Sequence, residues 1–260
     1  MPQYDRADRE LLRLLPRVLR ARDFYLYLEG GKRLTDLWRS GGRAVLGHKP
    51  PLVLRELKNA AERGLFTPLP HPAERRFIKA LEEFFPGRAF RLYPDESSLY
   101  RALEHAGFTG PFPLWRPFLE TVPGTVFPVF IPVLPWPLGP EVLVLAKSEE
   151  TSFPSGELIP PVLLAPAARA LYDLAAALKE YTSKPPRYPK MEKALKESPW
   201  QRRGIYLSVQ TDMDREKYAA LFRRFLEAGF LIPPSPGEPI ILPLSMSPGE
   251  ESKLAGLLGP

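Results

Sequence analysis

A chain of 260 residues, 44% hydrophobic and 25% charged, has room for one large domain or for a large and a small one, and its composition is that of an ordinary globule. It has no cysteine, which excludes a disulfide framework, a thiolate nucleophile and a zinc-finger ligand set. A net charge of +6 permits an anionic partner without requiring one.

Residues 5 to 22 read as a helix. Arg6, Arg9, Arg13, Arg17 and Arg20 recur at spacings of three and four on one stripe, and Pro16 breaks or restarts the helix. The stripe reads as a solvated face interleaved with Asp5, Asp8 and Glu10; with no aromatic-basic module beside it, nucleic acid is not expected as a partner. Residues 24 to 38 read as a hairpin whose first strand is Phe24 to Leu28, turning at Gly30-Gly31. Gly41-Gly42 and the Leu46-Gly47-His48 corner follow. Glycine this dense beside Trp38 and Arg39 implies a backbone bent close to a ligand or another chain.

Pro50-Pro51 opens an amphipathic helix, Leu52 to Arg63, with Val53, Leu54, Leu57 and Ala61 inward. A second helix runs from Glu74 to Phe85. Ala89 to Tyr93 is a short strand and Ser97 to Ala106 a helix behind a Pro-Asp-Glu turn, a unit that starts an α/β sheet. Phe127 to Trp136, FPVFIPVLPW, reads as an extended bridge over a core, because prolines at this density exclude a central strand. Pro140 to Lys147 is a buried strand ending in lysine, and Pro166 to Tyr181 a long helix.

Residues 182 to 189 read as a linker. Beyond it come a strand at Gly204 to Val209, a helix at Asp214 to Ala228, a strand pair around Phe230 to Ile232 and Ile240 to Leu242 turning at Pro236-Gly237, and a last helix at Ser247 to Leu258. The expected division is a large domain at 1–181 and a small α/β domain at 182–260. His48, His71 and His105 show no metal-ligand spacing, so no metal is expected. No apolar run reaches membrane length before a proline or charge interrupts it, and the N-terminus lacks the apolar core of a signal peptide; a cytoplasmic location away from membranes is the expectation.

Gly31, Asp36, Gly42, Leu46-Gly47-His48, Pro51 and the helix after it, followed by Gly64-Leu65-Phe66, Glu74 and Phe84-Phe85-Pro86-Gly87, together resemble the N-terminal part of class III aminotransferases. These are the pyridoxal-phosphate enzymes that include the glutamate-semialdehyde aminomutases. The likeness spans about the first hundred residues and is patchy beyond them. It implies an α/β fold: a truncated pyridoxal-phosphate-transferase-like large domain with a small C-terminal domain. Members hold the Gly-rich loop at the active-site cleft near the partner subunit, so Trp38, Arg39, Ser40, Gly41, Gly42 and Arg43 are expected to border a residual concave cleft.

The same resemblance implies where a cofactor would sit. Members place a Ser-Gly-Thr at the strand-helix turn to bind the cofactor phosphate at a helix N-terminus. Here the turn is Tyr93-Pro94-Asp95-Glu96-Ser97-Ser98, which leaves Ser97 and Ser98 as the cofactor-binding candidates. Pro94 lacks an amide donor, and Asp95 and Glu96 would repel a phosphate. The strand ending at Lys147 is similar to the members' segment that ends in the Schiff-base lysine, which makes Lys147 the catalytic candidate; desolvation at such a strand end would lower its pKa. Ser148-Glu149-Glu150-Thr151 stands where glycines are expected, and Glu238-Pro239-Ile240 stands in place of the arginine that grips a substrate carboxylate.

The sequence therefore reads as an aminotransferase-like protein without pyridoxal-phosphate chemistry, serving in ligand binding or assembly. The alternative is a compact pyridoxal-phosphate enzyme using Lys147. A homodimer is expected, because the apolar run Phe112 to Trp136 needs a cover. The competing solution is that the run folds over its own sheet and leaves a monomer. A small anionic ligand is the other expected partner.

Overall fold

The computed structural model describes residues 10–108, 112–119, 127–196, 198–209 and 213–259. They fall into two units. The first holds 49–108, 112–117 and 127–178; the second holds 10–48, 118–119, 179–196, 198–209 and 213–259.

The second unit begins with a correction. Val18–Arg22, read as helix, is strand β1, paired antiparallel with β2 (Tyr25–Leu28). Helical hydrogen bonding stops after Leu12, where a turn leads to Pro16, and beyond the proline the chain is extended. Residues 5–9 lie outside the described residues. The hairpin is as expected: β2 pairs antiparallel with β3 (Arg33–Asp36). Its turn at Gly30 and Gly31 has φ of +81° and +79°, which a side chain would strain.

On the second unit's C-terminal side, β8 (Trp200–Arg203) and β9 (Tyr206–Val209) form a hairpin before helix Arg215–Glu227. The strands β10 (Phe230–Leu231) and β11 (Ile240–Ile241) do not pair with each other as their sequence suggested. β10 joins β3 in parallel, and β11 joins β9 antiparallel. The Leu37 main chain ties both together, its N–H donating to Leu231 O and its carbonyl accepting from Ile241 N, each at 2.8 Å. The hydrogen bonds that a hairpin would have made are made to β3 and β9 instead. For the same reason residues 10–48 belong with the C-terminal part and not with 49–178, unlike the 1–181 and 182–260 division.

The first unit is a sheet in the order β4-β7-β6-β5. β4 (Ala89–Tyr93) is the strand read from the sequence; β7 (Glu141–Leu145) pairs with it antiparallel and is buried throughout. Of the helices, α1 (Pro51–Glu62) and α2 (Pro72–Phe84) open on prolines at their first turns. α3 (Glu96–His105) packs Leu99, Ala102 and Leu103 on Tyr93, Leu143, Leu145, Val129 and Ile131. α4 (Pro161–Ser183) starts a turn before the expected Pro166, which sits inside it. By length and composition α4 would suffice to cross a membrane, contrary to the sequence reading, and half of its most apolar window is buried inside the fold.

Val129–Pro132 is β6, an interior strand with every residue buried, and not the bridge expected from its prolines. The direction of its amides explains this. Ile131 and Val133 donate toward β5 (Leu114–Trp115), at 3.0 Å to Pro113 O and 2.8 Å to Trp115 O. The missing donor of Pro132 therefore points toward β7, where the ladder has already ended at Phe130 and Val144. On one face Phe85 packs edge-on against Phe130 and Trp115, at 5.1 and 5.0 Å between centroids. Of the apolar run, Trp115 and Val129 to Leu134 are buried, whereas Leu114 and Phe127 are exposed and residues 120–126 lie outside the described residues. Beyond the sheet, Glu157 N donates to Leu92 O at 2.8 Å. A Cβ on Gly156 would lie 2.7 Å from Leu92 N, so only glycine permits that approach.

Candidate functional site

The Gly-rich loop closes around three side chains of the second unit. Asp36 ends β3 and is buried. Its Oδ1 accepts from Trp38 N at 2.9 Å and Arg39 N at 2.8 Å, a side-chain turn of the kind aspartate favours. Its Oδ2 lies 2.7 Å from His48 Nε2. That contact fixes which ring nitrogen faces the carboxylate and leaves Nδ1 as the other polar atom of the ring. Gly47 makes this corner possible: its φ is +94°, and a Cβ there would stand 3.1 Å from Asp23 O. The His48 N–H then donates to that same Asp23 carbonyl at 2.8 Å.

Arg39 is fully buried. Arg39 and Ser40 both adopt left-handed backbone, at φ +50° and +52°, a strain that only the surrounding hydrogen bonds sustain. The guanidinium lies 4.1 Å over the Phe24 ring. Nε donates to Asp36 O at 3.3 Å and Nη1 to Val45 O at 3.5 Å, while Nη2 has no hydrogen-bond partner among the described residues. Burial pushes its pKa down to about 10, and Asp36, Tyr188 and Tyr206 act against that fall. Tyr188 is buried in turn and its phenol is pushed well up by burial, with Arg39 and Arg202 pulling the other way. A buried arginine beside a carboxylate and two phenols holds a positive charge inside the unit.

Of the six residues expected at the cleft, Arg39, Gly41 and Gly42 are buried, and Trp38, Ser40 and Arg43 are half-buried. Trp38 Nε1 donates to Glu238 Oε2 at 3.0 Å. The residue at the position of the members' substrate-binding arginine is thus an acid, of the wrong sign for a carboxylate. Two pockets stand elsewhere. One of ≈ 540 Å³ in the second unit is lined by Leu11, Leu14, Arg215, Tyr218, Arg223 and Pro234 among others. One of ≈ 300 Å³ in the first unit is lined by Glu74, Ile78, Arg91, Gly156 and Glu157 among others. Neither is lined by residues 38–43.

The cofactor candidates belong to the first unit. At the N-terminus of α3 the Asp95 carboxylate accepts from Ser98 N at 2.8 Å. It is an ordinary N-cap, and Glu96 adds a second acid in the first turn. Ser98 is buried and its Oγ accepts from Arg101 Nη2 at 3.0 Å, whereas Ser97 is exposed. Lys147 begins a one-turn 3-10 segment, Lys147–Glu149, just after β7, and is exposed. The strand delivers the lysine as the sequence suggested, without the burial that would activate an amine. Among the described residues no group of three His, Asp or Glu is placed to hold a metal ion.

Fold and site together define an α/β protein of the pyridoxal-phosphate-transferase-like fold. Solved structures that match it include Plasmodium falciparum ornithine δ-aminotransferase, with TM-score 0.66 and 10% identity over 99% of this chain and 94% of that one. An omega-transaminase from Sphaerobacter thermophilus matches with TM-score 0.61 and 12% identity, covering 99% and 97%. Serine palmitoyltransferase from S. paucimobilis matches with TM-score 0.62 and 12% identity, covering 96% and 95%. In sequence, the chain is 30% identical over 283 aligned positions to an uncharacterised protein of Treponema pallidum (strain Nichols), covering 90% of this chain and 91% of the relative, and it belongs to that protein's family. An uncharacterised protein of Borreliella burgdorferi is 41% identical over 78 residues, 30% of this chain and 29% of its own length. No protein-family model matches.

Pyridoxal phosphate is the group this fold holds in such enzymes, and the residues present do not fit it. A phosphate at the α3 terminus would meet the Asp95 carboxylate that already caps the helix, beside Glu96 and Pro94. Of the residues that sequence reasoning picked out, Ser98 accepts from Arg101, while Ser97 and Lys147 are exposed. That reasoning missed the burial of Arg39. The signal was there in part, since an aspartate three residues ahead of an arginine in a Gly-rich loop is a carboxylate within turn distance of a cation.

Proposed function

We propose that this chain is an aminotransferase-like protein that has lost pyridoxal-phosphate chemistry and binds a ligand through the retained fold. The observation that carries the reading is the N-terminus of α3, where a carboxylate takes the hydrogen bond that a phosphate would need. The exposure of Lys147 and the acid at Glu238 support it. The ligand class is a small anion with an apolar body. The ≈ 540 Å³ pocket supports this, because Arg215 and Arg223 of helix Arg215–Glu227 both line it, beside Leu11 and Leu14, against one acid among the described residues, Glu10. Self-association through the exposed apolar side chains Leu114 and Phe127 is compatible with this reading. Light scattering is expected to give a mass of two chains, and a stable mass near one 29.4 kDa chain would sink the homodimer.

A second reading is a compact pyridoxal-phosphate enzyme with Lys147 as its Schiff-base lysine. It is favoured by the placement of Lys147 after a buried strand and by matches whose proteins are aminotransferases. The two readings part on borohydride reduction in the presence of pyridoxal phosphate, followed by peptide mass spectrometry. Our reading expects scattered labelling of exposed lysines, unchanged in rate by Lys147→Ala. Stoichiometric label confined to the Lys147 peptide would sink it.

A further inference from the structure

Placing residues 18–22 on a strand moves the basic stripe next to aromatic rings. The register of the sheet sets Arg20 opposite Tyr27 and Tyr27 opposite Arg33, so one row across three strands reads Arg-Tyr-Arg. The next row, two residues along, reads Arg22, Tyr25, Thr35. These side chains share one face of the sheet, since residues two apart in a strand point the same way, about 7 Å apart. The alternate residues Leu26, Leu28 and Leu34 are buried on the other face. Arg20 lies 4.1 Å over the Tyr27 ring and Arg33 4.1 Å over Tyr25. Arg20, Arg22, Lys32 and Arg33 are exposed, and the two tyrosines are half-buried. Arg17, also exposed, stands beside β2, its carbonyl accepting from Glu29 N at 2.9 Å.

Glu250 sits on the second row, reaching the Tyr25 hydroxyl, the Thr35 hydroxyl and Arg33 Nη2, at 3.4 Å each, from the start of helix Pro248–Leu258. Asp23 lies 3.4 Å from Arg22 Nε, and Glu29 follows β2. Tyr27 keeps Arg20 over its ring, and Arg33, opposite it in the register, lies over Tyr25.

We propose that this face binds single-stranded nucleic acid. Flat guanidinium-phenol stacks on a rigid sheet offer platforms for bases, and the same arginines neutralise phosphates. A duplex hides its base faces and could use the charge alone. A membrane surface would also use the charge, but would gain nothing from the Arg-Tyr-Arg row. The inference does not rest on the ligand-binding reading above.

The test is fluorescence anisotropy of a labelled 20-mer of deoxythymidine with the full chain at about 50 mM salt. Expected is binding in the range of about 1–100 µM that weakens steeply with salt. Tyr27→Leu, which keeps every charge, should weaken it about tenfold, the size of one lost base stack. Arg20→Glu, at an exposed position, should weaken it at least as much, and circular dichroism should show both variants folded. Should Tyr27→Leu fail to fold, Arg20→Glu and the salt dependence decide alone. No binding at about 100 µM protein, affinity unchanged in a folded Tyr27→Leu, or binding confined to phosphatidylserine vesicles would each overturn the proposal.

Discussion

The loop from Asp36 to His48 and the turn at the start of α3 come from the same resemblance and have opposite fates. In the loop, the residues that carry the resemblance are tied into the fold. Asp36 receives two amides and an imidazole, Gly47 takes a conformation that a side chain could not, and Arg39 is enclosed. At α3, Asp95 caps the helix and Ser98 accepts from Arg101. The loop is held by the packing of its own unit, whereas the α3 terminus is an ordinary capped helix on which little else depends.

Substitutions in both places can break or sharpen this contrast, taken from the largest effect down. Asp36→Ala removes the acceptor of two amides and the carboxylate beside a buried cation, and should cost about 3–4 kcal/mol in urea unfolding. A loss below about 1 kcal/mol would mean the loop is not held by its aspartate. Arg39→Met, which leaves the buried Asp36 carboxylate without its neighbouring cation, should cost about 3 kcal/mol, and a change below about 1 kcal/mol would show that the two charges do not support each other. Gly47→Ala should cost about 2 kcal/mol because of both its φ and Asp23 O, against about 1 kcal/mol for Gly30→Ala, where φ is positive but the space is open.

At the other site the effects should be small. Asp95→Ala should lose about 1 kcal/mol, the value of a cap, and Lys147→Ala should change stability by less than about 0.5 kcal/mol in thermal unfolding. A large loss from Lys147→Ala would show that the lysine has a role in the unit. The smallest expected effect concerns pH. Burial pushes the Glu250 carboxyl up, but hydrogen bonds from Ser247 and Tyr25, with Arg33 nearby, outweigh it and leave the pKa below its ordinary 4.5. Its folded form therefore binds its proton less readily than the unfolded chain. The stability advantage of the wild type over Glu250→Gln should be full above about pH 5 and vanish as pH falls through the folded pKa. An advantage that grows on acidification would reverse the sign.

The sequence made the local elements of the first hundred residues legible, because each carried its own punctuation. Gly30-Gly31 turned a hairpin, Pro51 and Pro72 opened helices, and Asp95 capped one. It failed where a partner strand decides. Spacings of three and four among Arg13, Arg17 and Arg20 suit a helix, and pairing with Tyr25 to Leu28 overrode them. Pro132 argues against a central strand until one sees which neighbour its missing amide faces. Phe230 and Ile240 look like a hairpin because the turn residues lie between them, yet each finds a strand far away in sequence. Of the candidate site, the loop was legible from glycine and aspartate, whereas the depth of Arg39 depends on Phe24 and Tyr188, which no local pattern connects to it.

The central claim, that the fold no longer serves pyridoxal phosphate, is tested most directly by calorimetry of the purified chain titrated with the cofactor, beside Lys147→Ala under the same conditions. The account predicts no saturable heat from either protein up to about millimolar cofactor. One-to-one binding in the micromolar range that disappears in Lys147→Ala would contradict it.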